Sequence, residues 1–280
     1  MKFEEVFQYT FKALRQKIEP EVRKEVAFIM PSMPMVEACR ADEFEFFQPW
    51  IERGKLSVEQ MQRACERYFL GKSKSGKPIF WMIDDMMAPL DAHIGSGWIS
   101  EMLKKREPLL EYWQVQHCLF GLHLLSLTEK YSCHTENTEN AEILKSHTEN
   151  AERTERIPPL EDRSVCDNRN ICVVESEAAA VVLSELFPES IWMAYATTGH
   201  LTPDLFAPLE GQTVILYPRT DPTLSTYLFF RDLVNQTLRQ YDLDLSVDRT
   251  LEDYATEDQK EREIDLIDFL LENSAIIPPE

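Results

Sequence analysis

Two acidic side chains stand at the ends of predicted strands in the C-terminal half of the chain. Glu175 follows the apolar run at 171–174, and Asp221 lies four residues beyond the apolar run at 214–217. In an open parallel sheet, ligands and catalytic groups collect at the carboxyl ends of the strands, so these two carboxylates can converge. Convergent carboxylates bind a hard cation such as Mg²⁺. The alternative is structural, because Glu175 also begins a predicted helix whose N-terminal dipole favours a negative charge.

Basic and aromatic residues are interleaved between positions 63 and 81, where they form a candidate phosphate-binding surface. Proteins contact nucleic acid largely through such surfaces. The candidate nucleic-acid-binding residues are Arg63, Arg67, Lys72, Lys74 and Lys77. The alternative is that these residues are only the solvated end of a helix and the turn after it, since runs of charge usually face water.

A nucleoside-triphosphate-binding loop and a zinc site are not predicted. The segment GKSKSGK at 71–77 contains a Gly-Lys-Ser string, but the phosphate loop needs a glycine where this chain has Glu66. The loop also needs a strand before it and a helix after it, whereas the predicted order here is helix and then strand. The six cysteines form no CxxC pair, and a structural zinc site needs four well-spaced ligands.

The charge of the chain limits its partners. The 280 residues carry a formal net charge of −20, and residues 241–280 hold 13 acidic and 3 basic residues. Such a field repels nucleic acid in general, so any nucleic-acid contact must be local and basic, or mediated by a metal ion. No stretch approaches the ~18 apolar residues that a membrane span needs, and the acidic N-terminus does not resemble a signal peptide. We therefore expect a cytoplasmic protein without membrane contact.

Strands and helices alternate after residue 168, which is typical of a parallel α/β sheet flanked by helices. Strands are predicted near 171–175, 191–195 and 213–217, and helices near 177–187, 202–209, 223–240 and 257–272. Ser176 is predicted to cap the first of these helices. The N-terminal region has a mixed α+β pattern, with helices predicted near 3–16, 34–52, 58–69 and 98–105 and a strand at 78–83.

A low-complexity segment separates the two regions. The string HTEN occurs at 134–137 and again at 147–150, and the surrounding residues are too polar to bury the surface that would offset ordering. We therefore predict three parts: a mixed α+β domain at 1–130, a linker or insert at 131–167, and an α/β domain at 168–280.

The order of elements after residue 168 resembles the toprim domain, the catalytic fold shared by bacterial primases and topoisomerases. In that domain a strand ends in Glu, and a helix, a second strand and a third strand with an Asp-x-Asp loop follow. The segments VVESEAAAVVLSELFP, VILYPRTDP and DQKEREIDLIDFLL are similar to an uncharacterised toprim-related family from mobile elements of gut bacteria. The segments RYFLGKSKSGKPIFWMIDD and QHCLFGLHLL also resemble that family, so the likeness covers most of residues 30–275 outside the repeats.

The resemblance implies roles for three residues. Glu175 matches the toprim general acid/base, and Asp221 matches the second aspartate of the pair that binds magnesium. The first aspartate of that pair falls on Arg219, which changes the charge of the site by two units. Two unit charges at 4 Å interact by about 4 kcal/mol at an effective dielectric constant of ~20, so Arg219 disfavours Mg²⁺. The relatives also carry a lysine where this chain has Ala178.

Arg219 allows three arrangements. It pairs with Glu175 and closes an inactive site, it binds a substrate phosphate bidentately, or it points away from the site. In the third arrangement a helper carboxylate completes a shifted metal site, and the candidates are Glu177, Asp265 and Asp268. The last two are three residues apart and so share one face of the last predicted helix, which as an alternative is simply an exposed face. We favour the first arrangement.

Three functions follow from these readings. The leading hypothesis is a toprim-like, catalytically degenerate accessory protein of a mobile element, acting in DNA replication or transfer, with DNA or a replication protein as its partner. The second is an active Mg²⁺-dependent phosphotransferase, nuclease or primase-type enzyme. The third is an acidic protein-interaction module that does not bind nucleic acid. The net charge of −20 favours the interaction module. Under the leading hypothesis, Mg²⁺ binding should be weak or absent.

Overall fold

The structure is a computed structural model, and it describes residues 33–95, 97–106, 115, 117–126 and 169–273. The helix predicted near 3–16 and the predicted linker at 131–167 lie outside the described residues.

The N-terminal region contains a four-stranded antiparallel sheet and short helices. The strands are β1 (Gly71–Lys72), β2 (Pro78–Ile83), β3 (Pro89–Ile94) and β4 (Gly97–Trp98), in the order β1-β2-β3-β4. The helices are α1 (Met33–Ala38), α2 (Gln48–Glu52), α3 (Val58–Arg67) and α4 (Ile99–Arg106). The predicted strand at 78–83 is confirmed, and Ser57 and Gln60 form a capping box at the start of α3.

The single helix predicted at 34–52 is wrong. The chain leaves α1 and extends so that Arg40 pairs with Gly71 and the Ala41 amide donates to the Leu70 carbonyl. A short 3₁₀ turn then leads into α2, where Pro49 occupies the first helical turn, a position at which proline is tolerated. Backbone pairing with the sheet thus outweighs the helical propensity of this segment.

The C-terminal region forms the predicted parallel sheet flanked by helices. Its strands are β5 (Ile171–Val174), β6 (Ile191–Ala194), β7 (Thr213–Leu216) and β8 (Asp244–Val247), in the order β6-β5-β7-β8. The helices are α5 (Glu177–Leu186), α6 (Ser225–Thr237), α7 (Thr250–Tyr254), α8 (Glu257–Glu261) and α9 (Leu266–Glu272). Strand β8 was not predicted. Every residue of β5 and β6 is buried, as expected for strands covered on both faces.

Two helices predicted in this region differ in the structure. The segment at 202–209 is a 3₁₀ helix, Pro203–Leu209, with Pro208 inside it. The helix predicted at 257–272 is two helices, because Glu263 has a positive φ of 52° that no α-helix continues through. Asp265 then caps α9, since its side chain accepts a hydrogen bond from the Asp268 amide.

The two regions share one hydrophobic core. Helix α3 packs against α5, and the buried Tyr68 hydroxyl donates to the Trp192 carbonyl at 2.7 Å. Phe120 exchanges two backbone hydrogen bonds with Ala194, so the chain around Phe120 covers the outer edge of β6. The adjacent Gly121 has a φ of 88°, and a Cβ there would lie 3.0 Å from the Trp192 carbonyl. None of the helices in the described ranges is long and apolar enough to cross a membrane.

Candidate functional site

Glu175 and Arg219 meet at the carboxyl edge of the parallel sheet. Strands β5 and β7 are neighbours in register, with Val173 opposite Leu216, so the residues that follow them lie side by side. Arg219 Nη2 donates to Glu175 Oε1 at 2.7 Å, and Arg219 Nη1 lies 3.6 Å from Glu263 Oε2. The structure thus shows the first of the three predicted arrangements, in which Arg219 pairs with Glu175.

A cavity of about 360 Å³ opens beside this pair, and we call it the acidic pocket. Five carboxylates and a single guanidinium belong to its lining, so its net charge is strongly negative. The lining residues are Glu175, Ser176, Glu177, Ala196, Arg219, Glu263, Asp265 and Asp268. The pocket brings together every predicted helper carboxylate, and Asp221 does not line it.

Asp221 caps the start of α6 instead of facing the pocket. Its Oδ1 accepts from the amide and hydroxyl of Thr223, at 2.8 and 2.5 Å, and from the amide and hydroxyl of Ser225, both at 3.1 Å. Its Oδ2 accepts from the Thr226 amide at 2.7 Å. Burial alone would raise the pKa of Asp221, but the hydrogen bonds from Thr223 and Thr226 outweigh it and hold the pKa well below its ordinary value. The predicted magnesium ligand is thus engaged as a helix cap.

We expect Asp221→Ala to destabilise the fold by about 1–2 kcal/mol, because it removes the acceptor for partly buried amides at the start of α6. A carboxyl with a lowered folded pKa stabilises the fold above its ordinary pKa of 3.8 and loses that contribution as the pH falls below it. Urea unfolding should therefore show a difference between wild type and variant at pH 7 that shrinks towards pH 3. A difference that does not change with pH would contradict the capping role, and Asp221→Asn is the control that keeps the shape of the cap.

Glu177 is bound to a histidine of the other sheet. It is the first residue of α5 and is buried, with 5% of its surface exposed. Its Oε1 lies 2.6 Å from Nδ1 of His93 on β3, and this hydrogen bond raises the pKa of His93. Glu177 therefore joins the two regions and has one oxygen already engaged.

Asp265 and Asp268 lie at the start of α9, on the far side of the pocket. The oxygen Oδ1 of Asp265 accepts from the Asp268 amide at 2.9 Å. Burial, together with the charges of Asp268 and Glu175, raises the pKa of Asp265 to about 6. Asp265 precedes the helix as its N-cap and does not lie within it, but both carboxylates line the same pocket.

Asp265→Asn is expected to stabilise the protein above pH 7. A carboxyl with a raised folded pKa opposes folding as it ionises, so wild-type stability falls as the pH rises from about 4 to about 6. Asparagine keeps the cap and removes the charge. We expect the free energy of unfolding to rise by about 1–2 kcal/mol at pH 8 and to stay unchanged at pH 4. The value at pH 8 is reduced because Asp265 is partly exposed to solvent. Thermal unfolding at the two pH values measures it, and an equal effect at both would refute the assignment.

Three functional candidates were missed by sequence reasoning: Glu263, which lines the pocket, and His93 and Tyr195, which lie beside its carboxylates. The Tyr195 hydroxyl is buried beside the Glu175 carboxylate, within reach of a hydrogen bond to it. Burial first, and then the charge of Glu175, raises the pKa of Tyr195. Tyr195 directly follows β6, and its position at another strand end was the signal that could have identified it.

The five residues of the predicted nucleic-acid surface do not share one environment. Arg63 and Arg67 donate to the Glu185 carboxylate at 3.2 and 2.8 Å, and that side chain is only 4% exposed. Lys72 donates to the Glu43 carbonyl at 2.8 Å. Lys74 and Lys77 are exposed in the turn before β2. The two arginines therefore join α3 to α5.

Metal binding has limited geometric support. In the described part of the chain, no group of three or more His, Cys, Asp or Glu residues is arranged to hold a metal ion. Five carboxylates line the acidic pocket, and Arg219 lies between two of them, Glu175 and Glu263. The pocket as it stands therefore fits a compact Mg²⁺ shell poorly.

The comparisons with known proteins match a limited part of the chain. A domain of unknown function, DUF6371, matches residues 161–220. That range contains β5, α5, β6 and β7, and it ends one residue beyond Arg219. No curated protein and no solved structure matches the chain significantly.

Proposed function

We propose that this chain is a catalytically inactive, toprim-like accessory protein of a mobile element, which acts in DNA replication or transfer through contacts with other proteins. The observation that carries the proposal is the 2.7 Å ion pair of Arg219 with Glu175. Glu175 stands where the resembling family has its acid/base, and here its carboxylate oxygen is already bound to the Arg219 guanidinium. The same guanidinium adds positive charge where the family binds Mg²⁺.

Protein contacts are favoured over DNA contacts by the arrangement of charge. Two of the five candidate DNA-binding residues, Arg63 and Arg67, already neutralise Glu185. The acidic pocket and the net charge of −20 both repel phosphates. A partner that contacts this face is therefore expected to be a protein and not DNA.

An active Mg²⁺-dependent phosphotransferase, nuclease or primase-type enzyme is the second candidate. The carboxylates around the pocket favour it, because carboxylate oxygens are the ligands that Mg²⁺ prefers. In that case Arg219 must leave Glu175 when substrate binds, and Glu175 would then act as the base.

An assay for metal-dependent products tests the proposal. The full chain is incubated with single- and double-stranded DNA and nucleoside triphosphates, with Mg²⁺ or Mn²⁺, beside Glu175→Ala. We expect no product from either protein, and no DNA binding that weakens when Lys72, Lys74 and Lys77 are replaced. A metal-dependent product that Glu175→Ala abolishes would overturn the proposal and establish the enzyme. Binding that depends on salt and on the three lysines would establish the DNA-binding accessory protein.

A further inference from the structure

Three histidines surround the indole ring of Trp98 where the two regions meet. Trp98 is the last residue of β4 and is 7% exposed. The centroid of its six-atom and five-atom ring system lies 5.1 Å from those of His93 and His117 and 5.2 Å from that of His200. His93 and His117 belong to the N-terminal region, whereas His200 ends a 3₁₀ turn, Thr198–His200, after β6. The indole therefore contacts both regions.

His117 and His200 are stacked on each other. Their ring centroids are 3.9 Å apart, with 20° between the ring planes. Both Nδ1 atoms are buried and have no hydrogen-bond partner among the described residues. Nearly parallel rings are poorly placed to share one metal ion, because the lone pair of each nitrogen lies in the plane of its own ring. The ligand that this stack can take is thus the proton.

The stacked arrangement opposes protonation. Burial first, and then the neighbouring His200, lowers the pKa of His117 to about 4. The other charged groups that act on His117 are Glu101 and Lys104 of α4, and the attraction of Glu101 is outweighed. A proton on each ring would place two positive charges in rings 3.9 Å apart. The two histidines therefore take up protons readily only when the rings separate and meet water.

His93 responds to acid in the opposite way. Its Nδ1 lies 2.6 Å from Oε1 of Glu177, and this hydrogen bond raises the pKa of His93 against the effect of burial, with a smaller contribution from Asp91. A raised folded pKa means that the contact contributes its full stability below the ordinary value of 6.5 and loses it as the pH rises through the folded value. Acid thus preserves this link between β3 and α5.

The turn that carries His200 is the part of the cluster best able to move. Its first two residues are exposed, and the amides at 199–201 donate within the turn and its cap over 3.2–3.4 Å. Trp98 belongs to the antiparallel sheet, and His117 lies three residues before Phe120, whose backbone pairs with β6. Separation of the rings therefore requires the turn to leave.

We propose that the stack of His117 and His200 is an acid-sensitive conformational switch. In the closed state the rings are stacked, and protonation releases the turn with His200 from His117 and Trp98. The contact of His93 with Glu177 keeps the two regions together while the turn opens. The inference does not depend on the proposed function.

The size and place of the effect follow from the closed structure. If the pKa of His117 rises from about 4 to its ordinary 6.5 on opening, a change from pH 7.5 to pH 5.0 raises the ratio of open to closed molecules about 30-fold. The turn begins two residues after Ala196, which lines the acidic pocket. Opening therefore exposes the Trp98 indole and alters one wall of that pocket.

Fluorine NMR of the full chain labelled with 5-fluorotryptophan tests the switch. The chain has five tryptophans, and Trp→Phe variants assign their resonances. The difference between the chemical shifts in H₂O and in D₂O measures the exposure of each indole to solvent. We expect Trp98 to become exposed reversibly between pH 7.5 and pH 5.0. Trp50 and Trp81, which are 2% and 0% exposed in the core, should keep their resonances.

Matched variants assign the response to the stack. His117→Phe/His200→Phe keeps two stacked rings and removes both titrating groups, so Trp98 should stay covered at pH 5.0. Each single variant should need a lower pH than wild type to expose Trp98, because one imidazole remains. His134→Gln/His147→Gln removes two imidazoles from the HTEN repeats and should respond as wild type does.

Three results would overturn the inference. Trp98 that stays covered in wild type at pH 5.0 would mean that the stack does not open. Exposure of Trp50 and Trp81 together with Trp98 would mean that acid unfolds the whole protein and does not release one turn. An unchanged response in His117→Phe/His200→Phe would place the titrating group elsewhere.

Discussion

Arg219→Asp is expected to gain a thermal shift with Mg²⁺ or Mn²⁺ that the wild-type protein lacks. The substitution removes the guanidinium that holds Glu175 at 2.7 Å and places a carboxylate beside it, which changes the local charge by two units in favour of a cation. Metal at 100 times its dissociation constant stabilises the folded state by about 2.7 kcal/mol. Without metal the variant should melt below wild type, because Glu175, Glu263 and the new aspartate repel one another. Differential scanning fluorimetry with and without each metal measures both effects.

Two further variants make this result interpretable. Arg219→Gln removes the positive charge without adding a ligand, so it should melt near wild type and respond weakly to metal. Arg219→Asp/Glu175→Gln has the new carboxylate without its neighbour and should lose most of the gain. A metal shift in wild type that Glu175→Gln abolishes would mean that the site is functional with Arg219 present. If Arg219→Asp shows no shift, the ion pair is not what prevents metal binding.

Arg63→Met/Arg67→Met is expected to destabilise the protein by about 3–5 kcal/mol. Both arginines bind Glu185, whose side chain is 4% exposed, and the double change leaves a buried carboxylate without a counter-charge. Arg63→Met alone should cost less than about 1 kcal/mol, because Arg63 is 59% exposed and Arg67 still neutralises Glu185. Urea unfolding of the three proteins gives the comparison.

The triple variant Arg63→Met/Arg67→Met/Glu185→Met is the control for this cluster. Replacing a whole buried ion group by apolar side chains is often neutral, so we expect the triple variant to recover most of the lost stability. If the double variant is as stable as wild type and loses only DNA binding, the arginines form a nucleic-acid surface and the structural interpretation is wrong. The two interpretations thus differ in what they predict for stability.

The parallel sheet could be predicted because its signals are local. The apolar runs of β5, β6 and β7 are separated by short helical patterns, and Ser176 caps α5 as its side chain accepts from the Ala179 amide. The capping box of Thr256 and Gln259 is also observed. The pairing of Arg219 with Glu175 followed from the expectation that neighbouring parallel strands bring their ends together. The choice of Arg219 as the residue to consider came only from the resemblance to the toprim domain.

The missed features depend on contacts that a local pattern does not contain. Strand β8 is an edge strand with Asp244 and Ser246 exposed and Leu245 buried, so its short alternation resembled a polar loop. The arginines of α3 bind Glu185, which lies more than 110 residues away in the sequence. No local spacing pattern could predict a contact between residues so far apart. Asp221 had the right strand-end position for a metal ligand, but the hydroxyls and amides of 223–226 bind it first.

The backbone pairing of Phe120 with Ala194 has a consequence for the isolated C-terminal domain. A fragment beginning at residue 168 would lack the chain that covers β6, and its edge would expose unpaired amides and carbonyls beside an apolar surface. Such edges recruit strands from other molecules and promote aggregation. The parallel sheet is therefore protected from self-association by a segment that precedes the repeats, so the C-terminal region depends on the N-terminal region for a covered edge.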